Sequence, residues 1–151
     1  MAHTHSNADD WIIATSKGSN AIFLFDAHNG KLIREVTDLD VFRPNGVTLF
    51  PDADILCVVE RDGHKAQLFE LPSFKRLAVF GGDILKRPYG SSILKQKTNS
   101  ANGDREYTLF ITDNYMEQEW DEEKKKMSFR KLPPISSLNG RVKVFSVTLA
   151  S

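Results

Sequence analysis

Apolar and β-branched residues along this chain come in runs of about five or six, and turn-forming residues separate the runs. Trp11–Thr15, Ala21–Phe25 and Leu32–Val36 are the first three runs. Lys17-Gly18-Ser19-Asn20 and His28-Asn29-Gly30 stand between them. Short runs of this make-up between Gly, Asn and Ser clusters predict antiparallel strands joined by tight turns. The pattern continues with Gly46–Phe50, Ile55–Glu60, Ala66–Leu71 and Arg76–Phe80. The turns between these are Pro51-Asp52-Ala53-Asp54, Arg61-Asp62-Gly63-His64 and Pro72-Ser73. Ser91–Leu94, Tyr107–Thr112 and Arg141–Val147 complete the predicted strands.

The pattern also repeats. Arg43-Pro44-Asn45-Gly46 recurs as Arg87-Pro88-Tyr89-Gly90, at an offset of 44 residues. Leu24-Phe25-Asp26 recurs as Leu68-Phe69-Glu70 at the same offset of 44. A looser third copy aligns Phe110-Ile111-Thr112-Asp113 with Ile13-Ala14-Thr15-Ser16, and Val144-Phe145-Ser146 with Leu24-Phe25-Asp26. A four-stranded unit that returns at this spacing is the mark of a β-propeller blade, because one twisted sheet cannot cover both its faces and stacks on its neighbours. A small sandwich or barrel of about ten strands is the alternative. The repeated Arg-Pro-x-Gly favours blades, since it sets the same corner before the first strand of each unit.

The expectation is therefore an all-β partial propeller of about two and a half four-stranded antiparallel blades, six-bladed if complete. Residues 1–10 read as a polar leader, 11–40 as a partial blade without its innermost strand, and 41–84 as a full blade. Residues 85–151 read as a blade lacking its outermost strand and carrying an insertion at 114–139. Closed propellers need about four blades or more, so the chain reads as a fragment, an obligate oligomer or half of a split propeller. In the insertion, acidic residues from Glu117 to Glu123 precede Lys124–Lys126, an order that fits a short solvated helix with i,i+4 pairs. A surface loop or a lid over a channel mouth is the role such a segment would take.

Composition narrows the function classes. Twenty Lys+Arg balance twenty Asp+Glu, so no net positive field exists to hold a nucleic-acid backbone. No apolar run approaches the roughly 20 residues of a membrane-spanning helix. The polar Met1–Asp10 segment has no apolar core of a signal peptide, His3 and His5 read as leader residues, and localisation stays open, including a secreted or periplasmic parent. The lone cysteine, Cys57, lies in an apolar run and reads as a buried inert thiol. No Gly-rich phosphate loop, Gly-x-Ser-x-Gly elbow or His-Glu-x-x-His is present.

Several segments together resemble the β-propeller phytases, calcium-dependent enzymes that release phosphate from inositol phosphates. The opening Thr15-Ser16-Lys17-Gly18, Ile22–Asp26 and Gly30-Lys31 are similar to that family's first blade. Asn45-Gly46-Val47, Val59–Gly63, Pro88-Tyr89-Gly90, and Tyr107–Asp113 followed by Gly140-Arg141-Val142 resemble its later corners and hairpins in the same order. The likeness runs over about residues 11–147 and reaches only the front part of that propeller. It implies a small anionic substrate, phytate or another phosphoester, held by Lys17, Arg61 and Tyr89. It also implies calcium, for which the candidate ligands in this sequence are Asn45 in its turn and Asp113 and Asn114 at a strand end, with Glu60 and Asp62, which flank Arg61, either pairing with it or adding carboxylate oxygens. The catalytic residues stay unknown.

The sequence departs from that family at several places. Only Asp9-Asp10 represents its acidic Asp-Asp-Pro segment, Thr48 stands at its corner aspartate, and Asn114 at an expected lysine. Pro-Asn-Gly followed by Pro-Asp is also shared with gluconolactonase and regucalcin-type propellers and with paraoxonases. Asp113-Asn114-Tyr115 resembles a paraoxonase blade. A calcium-dependent lactonase and a non-catalytic binding propeller are therefore the rival readings. His28 and His64, in hairpin turns, read as surface histidines, and Arg43 and Arg87 as residues that hold the preceding unit's last turn.

Overall fold

In a computed structural model of the chain, residues 2–5, 10–96, 101–113, 116–121, 126–131 and 142–150 are described, and among them every regular element is a strand. Three antiparallel meanders and one hairpin account for all thirteen. The first sheet holds β1 (Ala2–His5), β2 (Asp10–Ser16), β3 (Ala21–Asp26) and β4 (Leu32–Val36). The second holds β5 (Pro44–Leu49), β6 (Ile55–Glu60), β7 (Lys65–Glu70) and β8 (Lys75–Phe80). The third has the order β13-β10-β9, from β9 (Pro88–Lys95), β10 (Arg105–Asp113) and β13 (Val142–Leu149).

Two expectations are corrected. The supposed leader supplies β1, which pairs with β2 from Ala2↔Ile13 to His5↔Asp10, so the first sheet has its fourth strand. The Ala-His-Thr-His run has no apolar alternation to mark it as a strand. Among the described residues of the insertion, a strand pair stands where a helix was expected. It consists of β11 (Met116–Asp121) paired with β12 (Lys126–Lys131). Acidic residues followed by basic ones satisfy an antiparallel register as well as a helical one, because Glu117 then faces Arg130 and Asp121 faces Lys126.

The offset of 44 is written in the backbone. β3–β4 shifts register between Leu24 and Phe25, and β7–β8 shifts between Leu68 and Phe69. Asn20 and His64 both take left-handed φ, 54° and 55°. Gly30 and Phe74 do so as well, at 69° and 59°. The second sheet is the middle layer. Alternate residues of β6 face opposite ways, so Leu56 and Val58 join Ile13, Ile22 and Leu24 in one core, while Cys57 and Val59 join Leu109 and Ile111 in another. That is why Ile55–Val59 is a continuous apolar run rather than an alternating one. Cys57 is fully buried, and burial pushes its thiol up to about 12, which keeps it protonated and inert.

Candidate functional site

The recurring Arg-Pro-x-Gly segments form corners, and each corner is pinned by a carboxylate at the end of the sheet's next strand. Pro44 pairs with Glu60, and Pro88 pairs with Asp113, each beside a register shift. Glu60, fully buried, accepts the Phe42 N–H at 2.8 Å and a bond from Gln67 Nε2, and lies 3.8 Å from Lys65 Nζ. Asp113, also buried, accepts the Lys86 N–H at 2.9 Å on one oxygen and the Arg87 N–H at 2.6 Å on the other. Burial raises the Asp113 carboxyl above the ordinary carboxylate value, against the bonds and cations around it. Asp113, expected as a calcium ligand, thus has both oxygens engaged in holding a corner.

Each corner also receives a turn from the sheet before it. The Arg43 N–H donates to Asn20 Oδ1 at 2.7 Å, and the ring of His64, an exposed side chain, meets the Lys86 carbonyl. Asn20 and His64 are repeat mates, so equivalent turns reach the two corners, one at an N–H and the other at a carbonyl. The inner strands β5 and β9 then touch. Asn45 Nδ2 donates to Tyr89 O at 2.9 Å, and Thr48 Oγ1 donates to Ser91 O at 2.9 Å. A Cβ on Gly46 would lie 2.6 Å from Tyr89 O, so no larger residue fits between these strands.

This junction brings two of the three sequence-predicted substrate residues together. The Arg61 guanidinium sits over the Tyr89 ring, 5.3 Å from its centroid, with the Arg61 side chain 14% exposed. Among the described residues, its buried Nε–H has no hydrogen-bond partner, and the nearest carboxylate oxygen is Asp62 Oδ1 at 3.7 Å. Buried donors are nearly always paired, so one left without a hydrogen-bond partner beside the Tyr89 ring calls for an explanation. Lys17 stands in the repeat-equivalent turn of the first sheet, 44 residues before Arg61. Asn45 is spent on the Tyr89 carbonyl through its amide nitrogen, and Asn114 lies outside the described residues. No cluster of three His, Cys, Asp or Glu suited to a metal occurs among the described residues. A cavity of about 300 Å³ opens between the second and third sheets, but its lining, with Leu68, Phe80, Phe145 and Val147, is apolar and includes none of the candidate residues.

Arg43 does not hold the preceding unit's turn with its side chain. Its Nε pairs with Asp62 Oδ2 at 2.9 Å within its own sheet, and the side chain is 45% exposed. Exposed pairs of this kind contribute about 0.2–1 kcal/mol. Arg43→Ala is therefore expected to lower stability by less than about 1 kcal/mol in a urea melt; a loss above about 2 kcal/mol would show a buried role.

Neither a family model nor a curated protein matches the chain.

Proposed function

We propose that the three sheets are consecutive blades of a phytase-like β-propeller, and that Arg61 on Tyr89 binds a phosphate oxygen of an inositol phosphate or similar phosphoester for hydrolysis in the assembled ring. The buried Arg61 Nε–H, which has no hydrogen-bond partner among the described residues and only a long ion pair with Asp62 at 3.7 Å, carries this reading. It supports an anionic ligand because a guanidinium offers several donors in a fixed fork that suits phosphate, and the ring beneath fixes the plane of that fork. Lys17, one repeat away at the equivalent turn, adds a second cation for a ligand that carries several phosphates.

Calcium enters through the resemblance alone. The described carboxylates do not form its donor set: Asp113 and Glu60 are committed to backbone corners, and Asp62 to Arg43. The chain's own contribution is thus binding and orientation of the anion. The commitment of those carboxylates also favours a second reading, a binding propeller without chemistry.

Titration calorimetry with inositol hexakisphosphate, together with a phosphate-release assay with and without calcium, tests the proposal. Binding is expected. Arg61→Ala should weaken it roughly tenfold to a hundredfold, the worth of one charge-assisted contact, and Arg61→Lys should restore only part. Binding that Arg61→Ala leaves intact refutes the site. Binding without phosphate release supports the binding module, and calcium-dependent hydrolysis of a lactone instead supports a lactonase.

A further inference from the structure

The turn that carries Arg61 and the corner that carries Tyr89 meet at a second point. Arg61 opens and His64 closes the four-residue turn between β6 and β7. Lys86 and Tyr89 stand on either side of Arg87-Pro88, where β9 begins. Arg61 lies over the Tyr89 ring, and His64 Nδ1 meets the Lys86 carbonyl. A carbonyl only accepts, so Nδ1 holds the proton and donates it. Both partners of this contact are held from behind. The Lys86 and Arg87 N–H groups are fixed by the two oxygens of Asp113, on β10. The turn is seated on Glu60, where a Cβ on Gly63 would lie 2.5 Å from Glu60 Oε2 and 2.9 Å from its Cβ.

The repeat explains why the residue at this place is a donor. In the first junction Glu60 takes the Phe42 N–H, and the Arg43 N–H goes to Asn20 Oδ1. In the second, Asp113 takes both N–H groups of the equivalent pair, Lys86 and Arg87. What the Lys86–Arg87 peptide then offers the incoming turn is its carbonyl, and an acceptor there would face another acceptor. Asn20 and His64 share a left-handed φ, 54° and 55°. Asn Oδ1 and His Nδ1 are each bonded to Cγ, so the exchange puts a donor where the acceptor was. Lys17 and Asn45 stand in the first junction where Arg61 and Tyr89 stand in the second. The donor thus accompanies the guanidinium on its ring.

From this we infer that His64 is a positioning residue: by pinning its turn to the Lys86 carbonyl, it holds the Arg61 guanidinium over the Tyr89 ring before an anion binds. Arg61 is a long side chain with many rotamers, and ordering such a side chain on binding weakens affinity about two- to tenfold. The pin orders the turn in advance, with the guanidinium fork already in the plane that the ring sets. His64 acts through Arg61 and does not itself touch the anion. Its effect on affinity rests on the anion-binding reading above, whereas its effect on Arg61 holds without a ligand.

His64→Gly and His64→Asn test it. Both residues accept the left-handed φ, and neither adds a charge; glycine removes the donor, and the asparagine amide restores one on Cγ. His64 is exposed, so each variant is expected to fold, as its amide spectrum reads. In the protein without ligand, protons of the Arg61 side chain lie over the Tyr89 face, and the ring current shifts them upfield. His64→Gly should lose most of that shift, and His64→Asn should keep most of it. In calorimetry with inositol hexakisphosphate, His64→Gly should bind about two- to tenfold more weakly than the wild type, and His64→Asn close to it. In an Arg61→Ala background His64→Gly should weaken binding no further, because the two residues act as one. Arg61 shifts that survive His64→Gly, or an equal loss of affinity in the Arg61→Ala background, overturn the inference. A wild type that does not bind the anion removes the binding reading alone, and the ligand-free shifts still decide whether His64 places Arg61.

Discussion

Replacing Asp113 with alanine should cost about 2–4 kcal/mol of folding stability. Its two oxygens take the Lys86 and Arg87 N–H groups at 2.9 and 2.6 Å, and the residue is 1% exposed. Alanine leaves both donors without an acceptor inside a partly buried corner, at about 1–3 kcal/mol for each. Release of the desolvated carboxylate offsets part of this. For a chain of 151 residues a 3 kcal/mol loss is roughly 6–12 °C in melting temperature. Asp113→Asn retains one acceptor and should lose about half as much.

The pH dependence carries its own sign. Because the folded carboxyl titrates above its ordinary value, the folded state binds this proton more tightly than the unfolded chain does. Its contribution is fully present below the ordinary carboxylate range and is lost as pH rises through the raised value. The stability gap between wild type and Asp113→Asn should therefore narrow as pH rises from the ordinary carboxylate range towards neutrality. A gap that widens over that window would mean that the two N–H bonds, not burial, dominate the carboxyl. Calorimetric melting at several pH values reads this directly.

Gly46→Ala is the second large effect. The added Cβ would sit 2.6 Å from Tyr89 O and 3.1 Å from Gly90 Cα, and both are backbone atoms of the facing inner strand. Neither can swing aside as a side-chain end would. The strands must separate, which also stretches the Asn45–Tyr89 and Thr48–Ser91 bonds. Overpacking costs about 1–3 kcal/mol and two neutral hydrogen bonds about 1 kcal/mol each, so a loss of about 3 kcal/mol is expected. Gly90→Ala, with open space at the same repeat position, should change single-chain stability by less than about 0.5 kcal/mol. Equal losses for the two variants, measured in urea, would show that β5 and β9 do not meet in this way.

The strands and their repeat were legible because apolar runs and turn residues recur together. The shared offset of Leu24 with Leu68, and of Asn20 with His64, reflects shared bulges and left-handed turns. Arg61 and Tyr89 were grouped through the family resemblance, and the structure seats the one on the other. The carboxylate locks were missed. Glu60 and Asp113 do equivalent work but lie 53 residues apart, because the connection between β9 and β10 is longer than that between β5 and β6. A search at 44 passes over them. β1 was missed because nothing in Ala2–His5 alternates, and the hairpin at 116–131 because its charge order suits both a helix and a strand pair.

The central claim is that an anion from outside the chain satisfies Arg61. Arginine side-chain N–H resonances report it most directly, followed by NMR while inositol hexakisphosphate is titrated in. The account predicts that the Arg61 Nε–H signal shifts first and furthest, with the Tyr89 and Lys17 amides following, and that Arg61→Ala removes most of the binding-linked shifts at Tyr89 while Arg61→Lys restores only part of them. An Arg61 Nε–H that stays unmoved while signals of Lys124–Lys126 shift would place the anion on the insertion and contradict the account.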